Sequence, residues 1–543
     1  MIFEAKKTTR ITATGKVKLA AISPDGKLIA YAQEENGEQQ SLWMRHITSE
    51  SSVQIAPPSN AEYRGLNISP DGNSLYYIVG QGSLYQIPVL GGTAKKIADG
   101  LYTRTNVNND VGISPDGKQI AFVRRFEKEA SALFVVNADG TNERTLAAFE
   151  QPVRLGQSVA WSPDGKVIAC REFSNGLQNA LAVKVANGTS TPILTQSILN
   201  LQQIAWMPDS QSLLMIDSIG RSYQIFYPSG EMRQIIADAG YLKGIGLTSD
   251  GRFLATVKRE AVAHIWTMPS DDVGYPKQLT AGFEKQDGVQ GINWMPDGRV
   301  VYDSYLNGEP LTWAIEANGG NSKQISKYGS YPTVSPDGRS IIYQKGTAAA
   351  VAAGDVGLWQ MDVSDGREKR LTKGMDTWQT FSPDGKWLVF TRYTERVGLW
   401  KVPSAGGEPT LILDENAICP AVSPDGKTIA FVWRRAGEAN RIALVSFDGG
   451  EIIKTFDVKL EKTGLGDKQN LQWTTDGRGI YFVALNDGVS NIWRQPIDGT
   501  APVQVTNFTT GRILNFAFSP DGSQLALARG TINSDVVLIE NQK

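Results

Sequence analysis

One tight turn, written twelve times, constrains this chain more than any other feature. Ser-Pro-Asp-Gly occurs eight times, and close variants stand at four further places: MPDS at Met207, TSDG at Thr248, MPDG at Met295 and TTDG at Thr474. The turn aspartates run from Asp25 to Asp521, 496 residues in eleven steps of 40 to 51, a mean near 45. Pro presets φ for the first central position, Asp bonds its own backbone, and Gly accepts positive φ. Runs such as "KLIAYA" and "KQIAFV" after the turn alternate and are β-rich, so each unit opens as a hairpin. A second DG or GG turn follows an apolar–aromatic strand, as in "GLW" ending at Trp359 and Trp400, which brings each unit to four strands. Four-stranded units repeating at about 40–45 residues are the signature of propeller blades.

The first strand of every unit is asymmetric. Three residues before the turn Asp stand Ile22, Ile68, Ile113, Trp161, Trp206, Leu247, Trp294, Val334, Phe381, Val422, Trp473 and Phe518, all large and apolar. One residue earlier most positions are small: Ala21, Gly112, Ala160, Ala205, Gly246, Ala421, Ala517. Neighbours along a strand point to opposite faces, so each sheet has a bulky and a shallow face, as blades stacked around an axis require.

Propellers commonly carry four to eight blades. Twelve four-stranded blades therefore predict an all-β chain of tandem propellers in two six-bladed rings, residues 1–274 and 275–543. "TTRIT" (Thr8 to Thr12) reads as a fourth strand without a blade before it, and "DVVLIENQK" as a third strand without a fourth after it. The expected latch has "TTRIT" completing blade six, "KQLT" completing blade twelve, and one crossing between rings. The rival pairing joins "TTRIT" to blade twelve and needs a second crossing.

Composition narrows the function. Lys+Arg 54 against Asp+Glu 56 gives a net charge of −2, which argues against sequence-blind nucleic-acid binding. The two cysteines, Cys170 and Cys419, make neither a disulfide scaffold nor a cysteine zinc site, and they do not decide the compartment. No apolar run reaches signal-peptide or membrane-helix length, so the expectation is a chain with no membrane segment of its own. The two histidines, His46 and His264, read as strand histidines. No G-x-S-x-G elbow, H-E-x-x-H pair or kinase element occurs. "AVSPDGKT" resembles a phosphate loop, but a strand rather than a helix follows it. The oxygen-rich "NVNNDVG" (Asn106 to Gly112) lacks the Gly and Glu of a calcium hand. No cofactor and no metal are expected.

The start of each first strand lines the mouth of its ring. Six and seven residues before the turn Asp, ring one offers Lys18, Arg64, Asp110, Gln203 and Lys243, a partly basic set. Ring two offers Tyr331, Trp378, Asn470 and Asn515, aromatic and amide groups suited to a peptide or sugar. These nine are the candidate ligand- or partner-binding residues, with channel packing and water as the plain alternative.

The unit "WSPDGKxIAF…LW…DGxxxxLT" resembles the TolB-type, WD-like propeller repeats of bacteria from Thr8 to about Glu540. "TGKVKLAAISPDGKLIAYAQEENGEQQSLWMR" and "YQIPVLGGTAKKI" resemble a narrower group, the C-terminal propeller sensors of membrane-anchored bacterial serine/threonine kinases and winged-helix regulators. That resemblance implies a bacterial sensor or scaffold module, extracytoplasmic if it is the sensor half of a membrane protein and cytoplasmic otherwise. Kinase activity and ATP binding do not carry over, because no matching residues exist here. The expectation is a non-enzyme that binds a protein or peptide, with a small ligand as a further possibility. The alternative is a propeller lyase or glycan hydrolase with Asp110 as its acid at a ring mouth.

Overall fold

A computed structural model describes residues 2–542 apart from 36–38, 104–110, 127–129, 175–176, 196–200, 218–220, 237–240, 272–273, 283–284, 307–308, 347–354, 394–396, 436–438, 459, 461–469 and 487. The described residues form strands and turns, in ten four-stranded antiparallel sheets and one six-stranded sheet. Each four-stranded sheet is built from four consecutive strands. The first comprises Val17–Ile22, Leu28–Glu34, Gln40–His46 and Ser52–Ser59.

The turn chemistry accounts for the hairpins. Ser23 Oγ donates to Asp25 Oδ1 at 2.6 Å, the Lys27 amide donates to the same oxygen at 3.1 Å, and the Leu28 amide donates to Ser23 Oγ at 2.9 Å. The same triad recurs at Ser114–Asp116, Ser335–Asp337 and Ser423–Asp425. The residue after every turn Asp has positive φ, from Gly26 at 73° to Gly522 at 74°. Ser210 takes that place at 55° in the MPDS variant.

Compactness divides the chain into two units, Met1–Glu260 with Asn533–Lys543, and Ala261–Ile532. The expected division at 274/275 falls in a different place from this one, because two strands run long. Phe253–Pro269 is one 17-residue strand and Gln524–Asn541 one of 18. Each continues from one unit into the other without a hairpin. In the first unit the sixth sheet therefore consists of Tyr241–Leu247, residues 253–260, residues 533–541 and Ala5–Arg10. In the second unit the corresponding sheet is Arg512–Phe518, residues 524–532, residues 261–269 and Lys277–Gln278. "TTRIT" is thus the fourth strand of sheet six, and "KQ" of "KQLT" the fourth strand of sheet twelve. The partner of "TTRIT" is the C-terminal strand, with Thr8 opposite Ile539 and Arg10 opposite Val537. The preferred latch with a single crossing is corrected: the chain ends pair with each other and the chain crosses twice.

Apolar side chains collect between neighbouring sheets, and the clusters close a cycle in each unit. In the first unit Leu66 and Ala21 pack between sheets one and two, Ile78 and Ile120 between two and three, and Val123 and Cys170 between three and four. Ala182 and Ile204 lie between four and five, Leu214 and Leu254 between five and six, and Ile29, Ala255 and Val536 between six and one. The second unit repeats the cycle, closing with Trp294 and Ala526 between sheets seven and twelve. The bulky and shallow faces meet as the first strands require. Trp206 Nε1 donates to the Ala160 carbonyl at 3.1 Å, Trp473 to Ala421 at 2.9 Å, and Trp294 to Ala517 at 2.9 Å. A Cβ on Gly246 would lie 3.2 Å from Ile22, so a glycine lets sheet one seat on sheet six. Cyclic stacking of four-stranded sheets is a multi-blade β-propeller, here in two units.

Candidate functional site

The mouth end of most first strands carries a break in register. Pairing jumps between Val17 and Leu19, Tyr63 and Gly65, Leu155 and Val159, Ser330 and Thr333, Thr377 and Thr380, and Ile418 and Ala421. A bulge re-aims the side chain it carries and ends regular pairing. In three successive blades of the second unit the bulged residue is left-handed although it is not glycine: Tyr331 at φ 56°, Trp378 at 51° and Cys419 at 54°. Left-handed backbone costs a non-glycine residue about 1–2 kcal/mol, which packing elsewhere must offset.

In the second unit the rings of Tyr331 and Trp378 meet edge to face, with centroids 6.1 Å apart. Trp378 also rests on the buried cluster of Ile418, Val432 and Leu471. The Gln379 amide donates to the Tyr331 carbonyl, and its Oε1 is buried without a partner among the described residues, as is the Thr377 hydroxyl. Asn470 Nδ2 donates to Asn515 Oδ1 at 2.9 Å and to the Phe516 carbonyl at 2.6 Å. Asn515 passes the connection on, donating to the Gly288 carbonyl at 3.2 Å. Tyr331 and Trp378 therefore stand together, and Asn470 and Asn515 stand together.

The first unit's mouth is less basic than its sequence. Lys18 is paired with Glu34, and Arg64 Nη2 with Glu62 at 2.7 Å. Gln203 is buried, and Lys243 is half-buried with its carbonyl accepting from Thr256 Oγ1 at 3.3 Å. Asp110 lies outside the described residues.

Acids missed from the sequence sit near the second mouth. Asp376 is fully buried and makes two 2.7 Å bonds to Arg392. Asp303 Oδ1 accepts from the Gly291 amide at 2.6 Å and the Gln290 amide at 3.0 Å, and Asp287 Oδ1 accepts from Ser304 Oγ at 2.6 Å. Asp376 and Asp287 stand eight and ten residues before their turn aspartates, outside the sixth and seventh positions that the spacing reads, and Asp303 follows its turn, so the spacing passed over them. His46 Nδ1 accepts from the Ser49 amide at 3.4 Å at the end of its strand. His264 lies within the long Phe253–Pro269 strand. Among the described residues, no group of three metal-ligating side chains converges, and no helix is long and apolar enough to cross a membrane.

No family model matches the chain. An uncharacterized protein of Agrobacterium fabrum is 26% identical over 253 residues, covering 43% of this chain and 81% of that one. Dipeptidyl-peptidase 5 of Porphyromonas gingivalis is 22% identical over 357 residues, 60% of this chain and 51% of the peptidase. An uncharacterized peptidase of Bacillus subtilis, YuxL, is 25% identical over 155 residues, 27% of this chain and 22% of its own length. The chain thus spans about half or less of the two relatives named as peptidases. Among solved structures, TolB of Acinetobacter baumannii aligns at 13% identity over 64% of this chain and 81% of its own, with a TM-score of 0.29. The tricorn protease aligns at 12% over 96% and 61%, with a TM-score of 0.32. An oligogalacturonate lyase with manganese aligns at 14% over 69% and 95%, with a TM-score of 0.29. The fold rests on the strand pairing described above, not on these superpositions. The expectation of a non-enzyme is corrected: two of the relatives carry peptidase names. The chain is an all-β, multi-blade propeller.

Proposed function

We propose that this chain binds polypeptide at the mouth of the second unit. The observation that carries the reading is the Tyr331–Trp378 pair, held on left-handed bulges, with unpartnered buried polar atoms on Trp378's chain neighbours Thr377 and Gln379. Aromatic surface offers apolar contact to side chains, and buried unpaired groups favour a ligand that bonds them. Polypeptide is the substrate class named for two of the relatives, which supports this choice over a sugar. Of the nine residues taken from the sequence, Tyr331 and Trp378 form the apolar contact, and Asn470 and Asn515 hold the adjacent rim. Lys18, Arg64, Gln203 and Lys243 belong to the separate mouth of the first unit, and Asp110 lies outside the described residues. No kinase or regulator stands among the proteins reported above, so the sensor resemblance adds no support.

The test is incubation with a mixture of unstructured peptides, read by mass spectrometry for both captured and cleaved species. Trp378→Phe keeps most of the packing and removes the indole edge; Trp378→Ala removes both. Capture weakened in Trp378→Phe at unchanged melting temperature supports the site. Equal capture by wild type and both variants overturns it.

A further inference from the structure

The strand pair 154–174 in the first unit carries two polar side chains that its fold leaves unanswered. Leu155 pairs with Glu172 and Val159 with Cys170, so Gly156, Gln157 and Ser158 together face Arg171 alone. Alternation survives the bulge. Leu155 and Val159 pack in the cluster between sheets three and four, together with Ile168 and Cys170 of the partner strand. On the opposite face, a Cβ on Gly156 would meet Arg171 and Phe173 at 2.9 Å, and Ser158 Oγ accepts from the Ile204 amide of sheet five at 3.0 Å. Gln157 shares its parity with Leu155 and Val159, and Glu172 with Ile168 and Cys170. Both therefore face sheet three at the mouth end.

Gln157 is 3% exposed, and neither its Oε1 nor its Nε2 has a partner among the described residues. Glu172 is 9% exposed and makes no hydrogen bond or ion pair with a described residue. Burial alone raises its pKa, with no neighbouring charge contributing. Arg125 of sheet three is engaged elsewhere, donating to the Leu155 carbonyl at 2.8 and 3.0 Å and lying over the Tyr102 ring at 3.8 Å. Each unpaired buried polar atom costs about 1–3 kcal/mol, and a carboxylate more. A buried amide nearby is answered in full: Asn179, 7% exposed on the next strand, bonds the Leu194 amide and carbonyl and the Ala180 amide.

We infer that Gln157 and Glu172 form a binding site for a small primary ammonium compound that carries an oxygen acceptor close to its nitrogen. The chemistry of the three open groups selects this class. The Glu172 carboxylate and Gln157 Oε1 accept only, and an ammonium has three donors to share between them. Gln157 Nε2 donates only, and the ligand's oxygen answers it. A quaternary ammonium meets the charge but not the hydrogen bonds, and a neutral alcohol leaves the carboxylate unpaired. An amino alcohol and an amino amide both satisfy the site.

Ethanolamine tests the inference against choline, which keeps the alcohol and the charge but has no N–H. Saturation-transfer NMR and calorimetric titration on the full chain are expected to give saturable binding of ethanolamine and none of choline. Glu172→Gln and Gln157→Leu are each expected to weaken it by about tenfold or more, the value of one charge-assisted bond. Both variants preserve side-chain size, and their melting temperatures report whether the fold is intact. Equal signals from choline overturn the inference, as do unchanged binding in folded Glu172→Gln and no saturable ethanolamine binding at all. The last result means that water alone answers these groups.

Discussion

Ten sheets of this protein close on themselves and two do not. In a local sheet such as Gln119–Arg125 and Ser131–Asn137, the second strand turns back to become the third, and pairing runs Gln119 with Asn137 to Arg125 with Ser131. In sheets six and twelve the second strand runs straight on, and the third strand arrives from the far end of the sequence. The connecting residues account for part of the difference: Gly80 and Gly82 take positive φ where Val79 turns back to pair with Ser83, whereas "TVKREAVAHIW" has no Gly, Asn, Asp or Pro. The second long strand carries Gly530, Asn533 and Asp535 and still runs on, with Asp535 accepting from Thr12 Oγ1 of the N-terminal segment. Turn residues permit a reversal, and partners from the far end of the sequence decide how the ends are secured.

The strongest way to break the comparison is to remove Asn533–Lys543. Sheet six then loses its third strand, with Val536, Val537, Leu538 and Ile539 all buried. At about 1.5–3 kcal/mol per side chain, roughly 6–12 kcal/mol disappears, comparable with the whole stability of a typical domain. Asn541 also holds the Glu4 amide at 2.8 Å and the Gly251 carbonyl at 3.0 Å, and Asp535 holds Thr12 Oγ1 at 2.9 Å. Hydrogen exchange should report lost protection at Leu254 and Val257 in the first unit, while Val301 and Ile315 in the second stay protected. The reverse pattern would restore the in-order pairing, in which the C-terminal strand belongs to the second unit.

A second substitution sharpens how firmly the cycle closes. Trp294 joins sheets seven and twelve, which are 223 residues apart along the chain, through its bond to Ala517. Trp206 makes the equivalent bond to Ala160 between consecutive sheets. Trp→Ala at either position is expected to cost about 3–5 kcal/mol, by chemical denaturation. Equal costs mean that the closing contact is as well formed as any other. A much smaller cost at Trp294 would mean a loose seam.

The twelve turns, the fourfold strand pattern and the bulky–shallow alternation were legible because each is local and repeated. The partners across sheet six were not, because strand order there depends on which distant strand fills an open edge, and both latches fit the same pattern. The mouths divide in the same way. Tyr331 and Trp378 come together because they occupy one position in adjacent blades, so spacing found both. Lys18 and Arg64 read as a basic rim because spacing does not show that Glu34 and Glu62 answer them. Gln157 occupies the seventh position before its turn Asp, as Lys18, Arg64 and Lys243 do. Its signal was present, but an uncharged amide does not stand out until burial shows that nothing bonds it.

Smaller effects test the turns. At Gly165 a Cβ would meet nothing within 4 Å, so Gly165→Ala isolates the cost of φ at 76°. The expected loss is about 1 kcal/mol, seen as a lower denaturant midpoint at constant slope. Ser210→Gly relieves the same strain but gives up the bond from the Asp164 amide to Ser210 Oγ at 3.1 Å. Its net gain should be below that of Gly165→Ala reversed, and a loss would show that the bond outweighs the backbone.

The smallest expected effect lies in acid. Ser23 Oγ and the Lys27 amide hold the Asp25 carboxyl at about 2, and Ser519 with the Ser523 amide and hydroxyl holds Asp521 at about 2. A folded value depressed below the unfolded one, near 3.9, contributes stability above pH 4 that is lost as pH falls toward 2. Ser23→Ala removes the largest of these causes at Asp25 and frees the Leu28 amide from its 2.9 Å bond. The Asp25 carboxyl should then titrate closer to its unfolded value by NMR, and the stability difference between wild type and variant should narrow from pH 5 to pH 2. A difference that stays constant across that range would assign the serine's role to the Leu28 amide alone, and the turn carboxylate would be a consequence of the hairpin instead of one of its causes.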